Sequence, residues 1–318
     1  IELGVEKINA AGGINGIPVK VIYEDDRGEA AGAVTAAKKL INSDNVPAII
    51  GSGASSSTLA MLPLAKVANT LIISPASTHP SLREYTETYF GMMPTDEVQG
   101  RYLANFAVDQ GIDNVALMVI NNDYGLGNLD TFSEYFEGNI VESEVFNSGR
   151  TDYRSELLKI RSKNPEAIFL MAYAKEGGII LKQAREMGIE VPIYGDATLS
   201  TEAVIDTAGE GSRNFYALVP GDPESVEYKE FSASFQEEYG TEPTIWSDFA
   251  YDAFMLIAEG IRQEGYSADD IRSYLKNVEG YRGVSGIKTF DEAGIVTAAY
   301  SFYAVEDGKF VYWDWEAE

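Results

Sequence analysis

Small and hydroxyl-bearing residues crowd two places where a buried strand ends. The first is Ile49-Ile50-Gly51-Ser52-Gly53-Ala54-Ser55-Ser56-Ser57-Thr58. Small residues let a ligand approach the backbone, and hydroxyls with unsatisfied amides at a helix start attract an anion. The plain reading of the same residues is a serine-type helix N-cap. The second place is Ile72-Ile73-Ser74-Pro75-Ala76-Ser77-Thr78-His79-Pro80. Pro75 and Pro80 stiffen this loop, while Ala76, Ser77 and Thr78 offer N–H and hydroxyl donors without bulk. A carboxylate that accepts several such donors needs no Arg or Lys partner. His79, the single imidazole of the chain, reads as a surface residue beside Pro80.

Three further strand ends carry larger groups. Ile120-Asn121-Asn122-Asp123-Tyr124-Gly125 opens a helix with Tyr124, and Met171-Ala172-Tyr173-Ala174-Lys175-Glu176 sets Tyr173 after a buried strand. Tyr194-Gly195-Asp196-Ala197-Thr198 brings an acid. Alone, each tyrosine fits packing as well as ligand contact. Together these junctions suggest a cleft with an anion end, an aromatic middle and an acidic end. Ligands of open parallel sheets bind beyond the carboxyl ends of the strands, where such junctions lie.

Sharper motifs fail. A phosphate loop needs Gly-Lys-Ser/Thr at the helix entry, and the first junction has no Lys. Gly125-Leu126-Gly127 is no dinucleotide fingerprint, because Asp130 stands where the third Gly belongs. No Gly-x-Ser-x-Gly elbow occurs. Paired acids such as Glu237-Glu238 and Asp269-Asp270 read as solvated helix faces. With one His and no Cys, the chain is poor in acid–base groups and is not expected to be an enzyme.

The elements that must carry these junctions alternate regularly. Ile1, Val5 and Ile8 recur at helical spacing until Ala11-Gly12-Gly13. Val19, Val21 and Tyr23 alternate with Lys20, Ile22 and Glu24, which predicts a strand. Helices follow over Ala30–Ile41 and Ser55–Ala68, the second despite Pro63, with strands over Pro47–Gly51 and Leu71–Ile73. Further strands are expected at Val115–Ile120, Val141–Phe146, Ala167–Met171 and Pro192–Tyr194. Between them lie helices at Tyr124–Phe136, Tyr153–Ser162 and Glu176–Met187. Such alternation predicts doubly wound parallel sheets with helices on both faces. Helices dominate Ser225–Val278, and a hairpin around Asp307-Gly308 is expected over Ala298–Trp315.

Composition excludes several function classes. The 318 residues, 45% hydrophobic, suggest two ordered domains. A formal charge of −26 with no basic stripe repels phosphate backbones and anionic lipid, so no nucleic-acid partner is expected. The acidity reads as solubility, of the kind that suits salty surroundings. Without Cys there is no disulfide or thiolate metal site, and one His disfavours imidazole sites; no metal and no cofactor are expected. No apolar run approaches a membrane span. The chain starts without an initiator Met or a signal segment, as a processed or trimmed product does.

At this point the residues match a known family. The chain resembles the type I periplasmic binding proteins that serve branched-chain amino acid ABC transporters, the Leu/Ile/Val-binding group. The likeness is carried by Ile8-Asn9-Ala10-Ala11-Gly12-Gly13-Ile14-Asn15-Gly16, Ser55-Ser56-Ser57-Thr58, Ile73 to Pro80, Asp123-Tyr124-Gly125 and Phe249-Ala250-Tyr251-Asp252-Ala253. These stretches run in order along nearly the whole chain.

The resemblance implies two α/β lobes joined by three hinge crossovers, near Thr95, Pro220 and Thr297, that close on a small molecule. The N-terminal lobe would hold 1–95 and 222–297, and the C-terminal lobe 96–221 and 298–318. A ligand carboxylate would be held by Ser55, the Ala76 backbone, Ser77 and Thr78. Tyr124 and Tyr173 would be the cleft tyrosines and Trp246 the aromatic beside the ligand side chain. The implied function is a periplasmic or extracellular, optionally lipid-anchored, monomeric solute receptor that delivers an amino acid or another small carboxylate to ABC permease membrane subunits. A ligand-sensing domain of a signalling receptor would share the same fold. Three departures bear on this. Ala197 stands where the family has an acid for the ligand ammonium, so either Asp196 serves or the ligand has no ammonium. Gly91 follows Phe90 where Arg is frequent. The family's first strand would precede Ile1.

Overall fold

The computed structural model describes residues 1–297 and 300–313. These divide into two compact units. One comprises Ile1–Thr95 and 221–297; the other comprises Asp96–Pro220 and 300–313. The passage at 298–299 and the residues from 314 onward lie outside the described residues, as do the ends of the hairpin expected over Ala298–Trp315.

The first unit begins with α1 (Glu2–Ala10), α2 (Ala30–Asn42), β1 (Ala48–Ile50), α3 (Ser55–Ala68), β2 (Leu71–Ser74) and β3 (Tyr89–Gly91). Its three strands form a parallel sheet in the order β1-β2-β3. All four residues of β2 are buried, as a parallel strand covered on both faces requires. Leu62 and Ala65 of α3, Ala33 and Ala37 of α2, and Ile72 and Tyr89 of the sheet share one core.

The chain then enters the second unit through α4 (Asp96–Asp109), β4 (Asn114–Ile120), α5 (Asp123–Tyr135), β5 (Asn139–Phe146) and α6 (Arg154–Ser162). It continues with β6 (Ala167–Met171), α7 (Ala174–Glu186), β7 (Ile193–Gly195), α8 (Glu202–Ala208) and β8 (Phe215–Pro220). It returns to the first unit for α9 (Val226–Tyr239), α10 (Ser247–Gln263), α11 (Ala268–Lys276) and the small hairpin β9 (Tyr281–Gly283) and β10 (Gly286–Lys288). It ends in the second unit with β11 (Tyr300–Glu306) and β12 (Lys309–Trp313).

The second unit's sheet has seven strands in the order β12-β11-β8-β7-β6-β4-β5. Strands β4 to β8 pair in parallel, whereas β11 runs antiparallel to β8 and to β12. The sheet is therefore mixed at one edge. The hairpin is made by Asp307 and Gly308, whose φ angles of 47° and 75° suit a tight two-residue turn. Mid-helix Gly100 has a packing cause: a Cβ there would lie 2.8 Å from Thr131 of α5.

One expected strand is not formed. Residues Val19 to Tyr23 stay irregular and join no sheet. Alternation fixes which face a segment shows, but a ladder needs a partner edge. Val19 instead exchanges both backbone groups with the Asn9 side chain, at 2.7 Å and 2.9 Å.

Candidate functional site

In the first unit the two hydroxyl-rich junctions interlock. The Ser52 carbonyl accepts the Ser74, Ser77 and Thr58 hydroxyls at 2.7, 3.0 and 3.2 Å. Ser77 and Thr58 also lie 2.8 Å apart, so their two protons are shared between this contact and the carbonyl. Ser77 N–H donates to Ser74 Oγ at 2.8 Å, and its carbonyl takes the Tyr89 hydroxyl. Ser77 is thus engaged on all sides inside the loop, and its part is to hold that loop. Ala76 N–H points at Ser74 Oγ, 3.3 Å away.

Ser55 is not a cap. The N-cap of α3 is Ala54, and no side chain caps this helix start. Ser55 Oγ accepts instead from Thr78 N–H at 3.2 Å and His79 N–H at 3.3 Å. Those two bonds use its lone pairs, so its O–H remains to donate. Thr78 Oγ1 is buried and makes no hydrogen bond within the described residues. Two neutral hydroxyls of the interlocked junctions, Ser55 and Thr78, therefore have a proton to donate. His79 is partly buried, and its Nδ1 accepts Ser81 N–H.

The second unit gathers rings and acids. Tyr124 and Tyr173 stack with centroids 5.8 Å apart at 13°. Asn122 organises both: its Oδ1 caps α5 through Gly125 N–H at 2.9 Å, and its Nδ2 donates to the Tyr173 hydroxyl at 3.2 Å. Gly125 is forced by close approach, since a Cβ would lie 2.1 Å from the Ile120 carbonyl. Gln99 donates to the Tyr124 hydroxyl at 3.3 Å and to Asn128 at 2.8 Å, and accepts Ala197 N–H at 3.3 Å.

Asp196 is fully buried. It accepts Ala172 N–H at 3.1 Å and Thr198 N–H at 3.0 Å, with Thr198 Oγ1 at 2.6 Å and the Tyr124 hydroxyl as a further donor. Burial outweighs these bonds and pushes its carboxyl up to about 7. Burial, reinforced by the charges of Asp196 and Asp96, also pushes the Tyr124 phenol well above its usual range. Asp96, at the start of α4, is a second fully buried acid near Tyr124 and Tyr300. The sequence reading missed Asp96, Gln99 and Asn122. An acid and an amide at a helix start look like ordinary capping residues, and only burial sets them apart.

Trp246 lies in the first unit, half-buried, at the N-cap of α10. Its φ of +73° places a bulky residue in the left-handed region, an uncommon conformation that surrounding contacts must hold. Its ring meets Phe249 edge-on at 5.7 Å. The same unit contains a cavity of about 290 Å³. It is lined by apolar groups such as Val21, Leu40, Ile49, Met61 and Phe254, and it shares only Ser52 with the hydroxyl network above. Its polar lining includes Lys20, Glu24, Asp26 and Asp44, none of them among the hydroxyls of that network.

Comparison with known proteins gives a consistent picture. Residues 1–309 match the family described as periplasmic binding protein. The chain is similar to the leucine-, isoleucine-, valine-, threonine- and alanine-binding protein of Pseudomonas aeruginosa, at 26% identity over 92% of this chain and 80% of that protein. It is also similar to the branched-chain amino acid transporter substrate-binding protein of Streptococcus pneumoniae, solved in complex with isoleucine. That likeness has a TM-score of 0.91 and 30% identity, and covers 98% of this chain and 92% of the other. A leucine-binding protein from Thermotoga maritima matches with a TM-score of 0.90 and 26% identity, over 98% and 92% of the two chains.

Proposed function

The chain belongs to the periplasmic binding protein family, and on that premise we propose that it is the extracytoplasmic solute receptor of an ABC importer. Its ligand is a small carboxylate, in the first place an aliphatic amino acid. The observation that carries this reading is the buried pair of hydroxyl donors, Ser55 and Thr78, in a network without a basic side chain. Such dipoles bind a carboxylate through charge-assisted hydrogen bonds and do not trap it in an ion pair. The relatives named for leucine, isoleucine and valine support the same ligand class.

The second unit supplies the opposite pole. Asp196 and Asp96 favour a ligand ammonium, and Tyr124 and Tyr173 offer ring faces to the atoms between the poles. Trp246 of the first unit serves the ligand side chain. Contact with groups of both units favours a hinge-closed state, so ligand shifts an open–closed balance. The protein acts as a monomer, without catalysis, and hands its ligand to permease membrane subunits; a lipid anchor is compatible with this role.

One observation favours a second ligand class. Asp196 already accepts several internal donors, and Ala197 adds no acid. A carboxylate lacking an ammonium, such as a benzoate, would not need a free acid there. Calorimetry with isoleucine and with benzoate separates the two. The amino acid reading expects tight isoleucine binding, and Thr78→Ala to weaken it by roughly 1.5–3 kcal/mol, the worth of one charge-assisted bond. Unchanged affinity in Thr78→Ala would contradict the placement, and binding of benzoate alone would select the second class.

A further inference from the structure

We propose that Asp252 and Lys288 are positioning residues for ligand binding. They clasp the tight turn between β9 and β10 and, through Phe249, fix the ring of Trp246 and the chain where it re-enters the first unit at Gly221. The link to binding rests on the solute-receptor reading of Trp246.

A buried turn must find partners for its backbone groups. Here they come from one carboxylate and one ammonium. Asp252 accepts Val284 N–H at 2.9 Å and Ser285 N–H at 2.8 Å, and also the Ser285 hydroxyl. Lys288 Nζ donates to the carbonyls of Ser285 and, at 3.3 Å, of Gly286. Both side chains are fully buried, and their opposite charges offset each other, with Asp248 a further acid near Lys288. The fit leaves no slack: a Cβ on Gly283 would lie 2.2 Å from Asp252 Oδ2. Burying two ionisable side chains costs desolvation that their turn hydrogen bonds only offset, so the geometry they fix is the better account of their presence.

That geometry leads to two places. Lys288 Nζ sits 5.0 Å over the Phe249 ring, which in turn meets the Trp246 ring edge-on at 5.7 Å. The turn also floors the re-entry point: a Cβ on Gly221 would lie 3.2 Å from the Ser285 carbonyl and 3.4 Å from Phe249. Gly221, with φ +83°, directly follows the last residue of β8, Pro220, and passes over the clasp. The pair thus links a candidate ligand contact to a passage between the units using residues of the first unit alone.

The test uses the full chain with Trp313→Phe and Trp315→Phe, which leaves Trp246 as the only tryptophan. Phe249→Leu and Lys288→Met are compared with Ile72→Ala, which opens a cavity elsewhere in the same unit's core. Expected for both positioning variants are a shift of Trp246 emission and near-ultraviolet dichroism without ligand, and an isoleucine affinity at least tenfold weaker. Ile72→Ala should lower the melting temperature and leave both readouts in place. If Lys288→Met does not fold, Asp252→Asn, which keeps the side chain's shape, takes its place in the test, and Phe249→Leu reports only the contact with Trp246. An unchanged Trp246 signal in a folded positioning variant overturns the proposal, and a shifted signal with unchanged affinity overturns its link to binding. Should the parent bind neither isoleucine nor benzoate, the receptor reading falls, while the ligand-free spectra still decide whether Asp252 and Lys288 position Trp246.

Discussion

The two units reach polarity by opposite means. The first presents hydroxyls that bond one another around the Ser52 carbonyl and leave Ser55 and Thr78 as donors. Its candidate contacts carry no formal charge. The second presents stacked phenols over a buried amide network with Asp96 and Asp196 behind them. A neutral donor set welcomes an anion without demanding a counter-charge. A buried acid set, by contrast, carries a standing desolvation cost that a ligand cation relieves. On the proposed receptor role the difference carries a prediction about selectivity: the donors of the first unit should accept any carboxylate, and the acids of the second should decide whether it carries an amine.

The largest expected effect breaks the neutral half. Ser55→Ala with Thr78→Ala removes two charge-assisted donors, at about 3–6 kcal/mol together. Calorimetry should show affinity falling on the order of 10²–10⁴-fold for isoleucine and benzoate alike. A loss confined to isoleucine would show that this half reads more than the carboxylate.

The next concerns stability of the acid half. Asp196 is raised to about 7, as is Asp248 in the first unit, both chiefly by burial. A raised folded-state value means that the folded chain keeps these protons while the unfolded chain loses them. Each group therefore takes stability away as pH rises from about 4 to 7, by at most about 4 kcal/mol. Glu156, held down to about 2 chiefly by its bond to Arg150, acts in the other direction, adding stability that is lost as pH falls from about 4 to 2. Denaturant titrations from pH 4 to 8 should show the decline, and Asp248→Asn should flatten it.

A smaller effect sharpens the contrast directly. Asp196→Asn should weaken amino acids by about 1.5–3 kcal/mol and leave benzoate within about 0.5 kcal/mol. The wild-type protein should release protons on binding isoleucine near pH 7, because a ligand ammonium favours the ionised acid. Calorimetry in two buffers of different ionisation heat measures that release. Equal losses for both ligands would place the ammonium elsewhere. The smallest effect is general: with a formal charge of −26, added salt should raise the melting temperature by screening self-repulsion, worth about 1 kcal/mol.

Much of this was legible in the chain. The helix Ser55–Ala68 and the strand Ala167–Met171 fall where composition and turn residues place them. Local patterns encode such elements completely. What was not legible depends on distant partners. The alternation of Val19 to Tyr23 predicts a strand, yet a strand exists only with a neighbour to pair, and Asn9 takes Val19 instead. Ser77 and Ser55 look equivalent as hydroxyls, but the Ser52 carbonyl engages one and the next loop's amides engage the other. Asp252 and Lys288 are 36 positions apart, and nothing local marks them as a pair. Asp96 reads as a helix-start acid and gains meaning only from its burial beside Tyr124 and Tyr300.

The most direct measurement is a crystal structure grown with isoleucine. The account predicts the ligand carboxylate within hydrogen-bond distance of Ser55 Oγ and Thr78 Oγ1, with the ammonium toward the acids of the second unit. A carboxylate seated on a Lys or Arg, or an isoleucine bound away from Ser55 and Thr78, would contradict it.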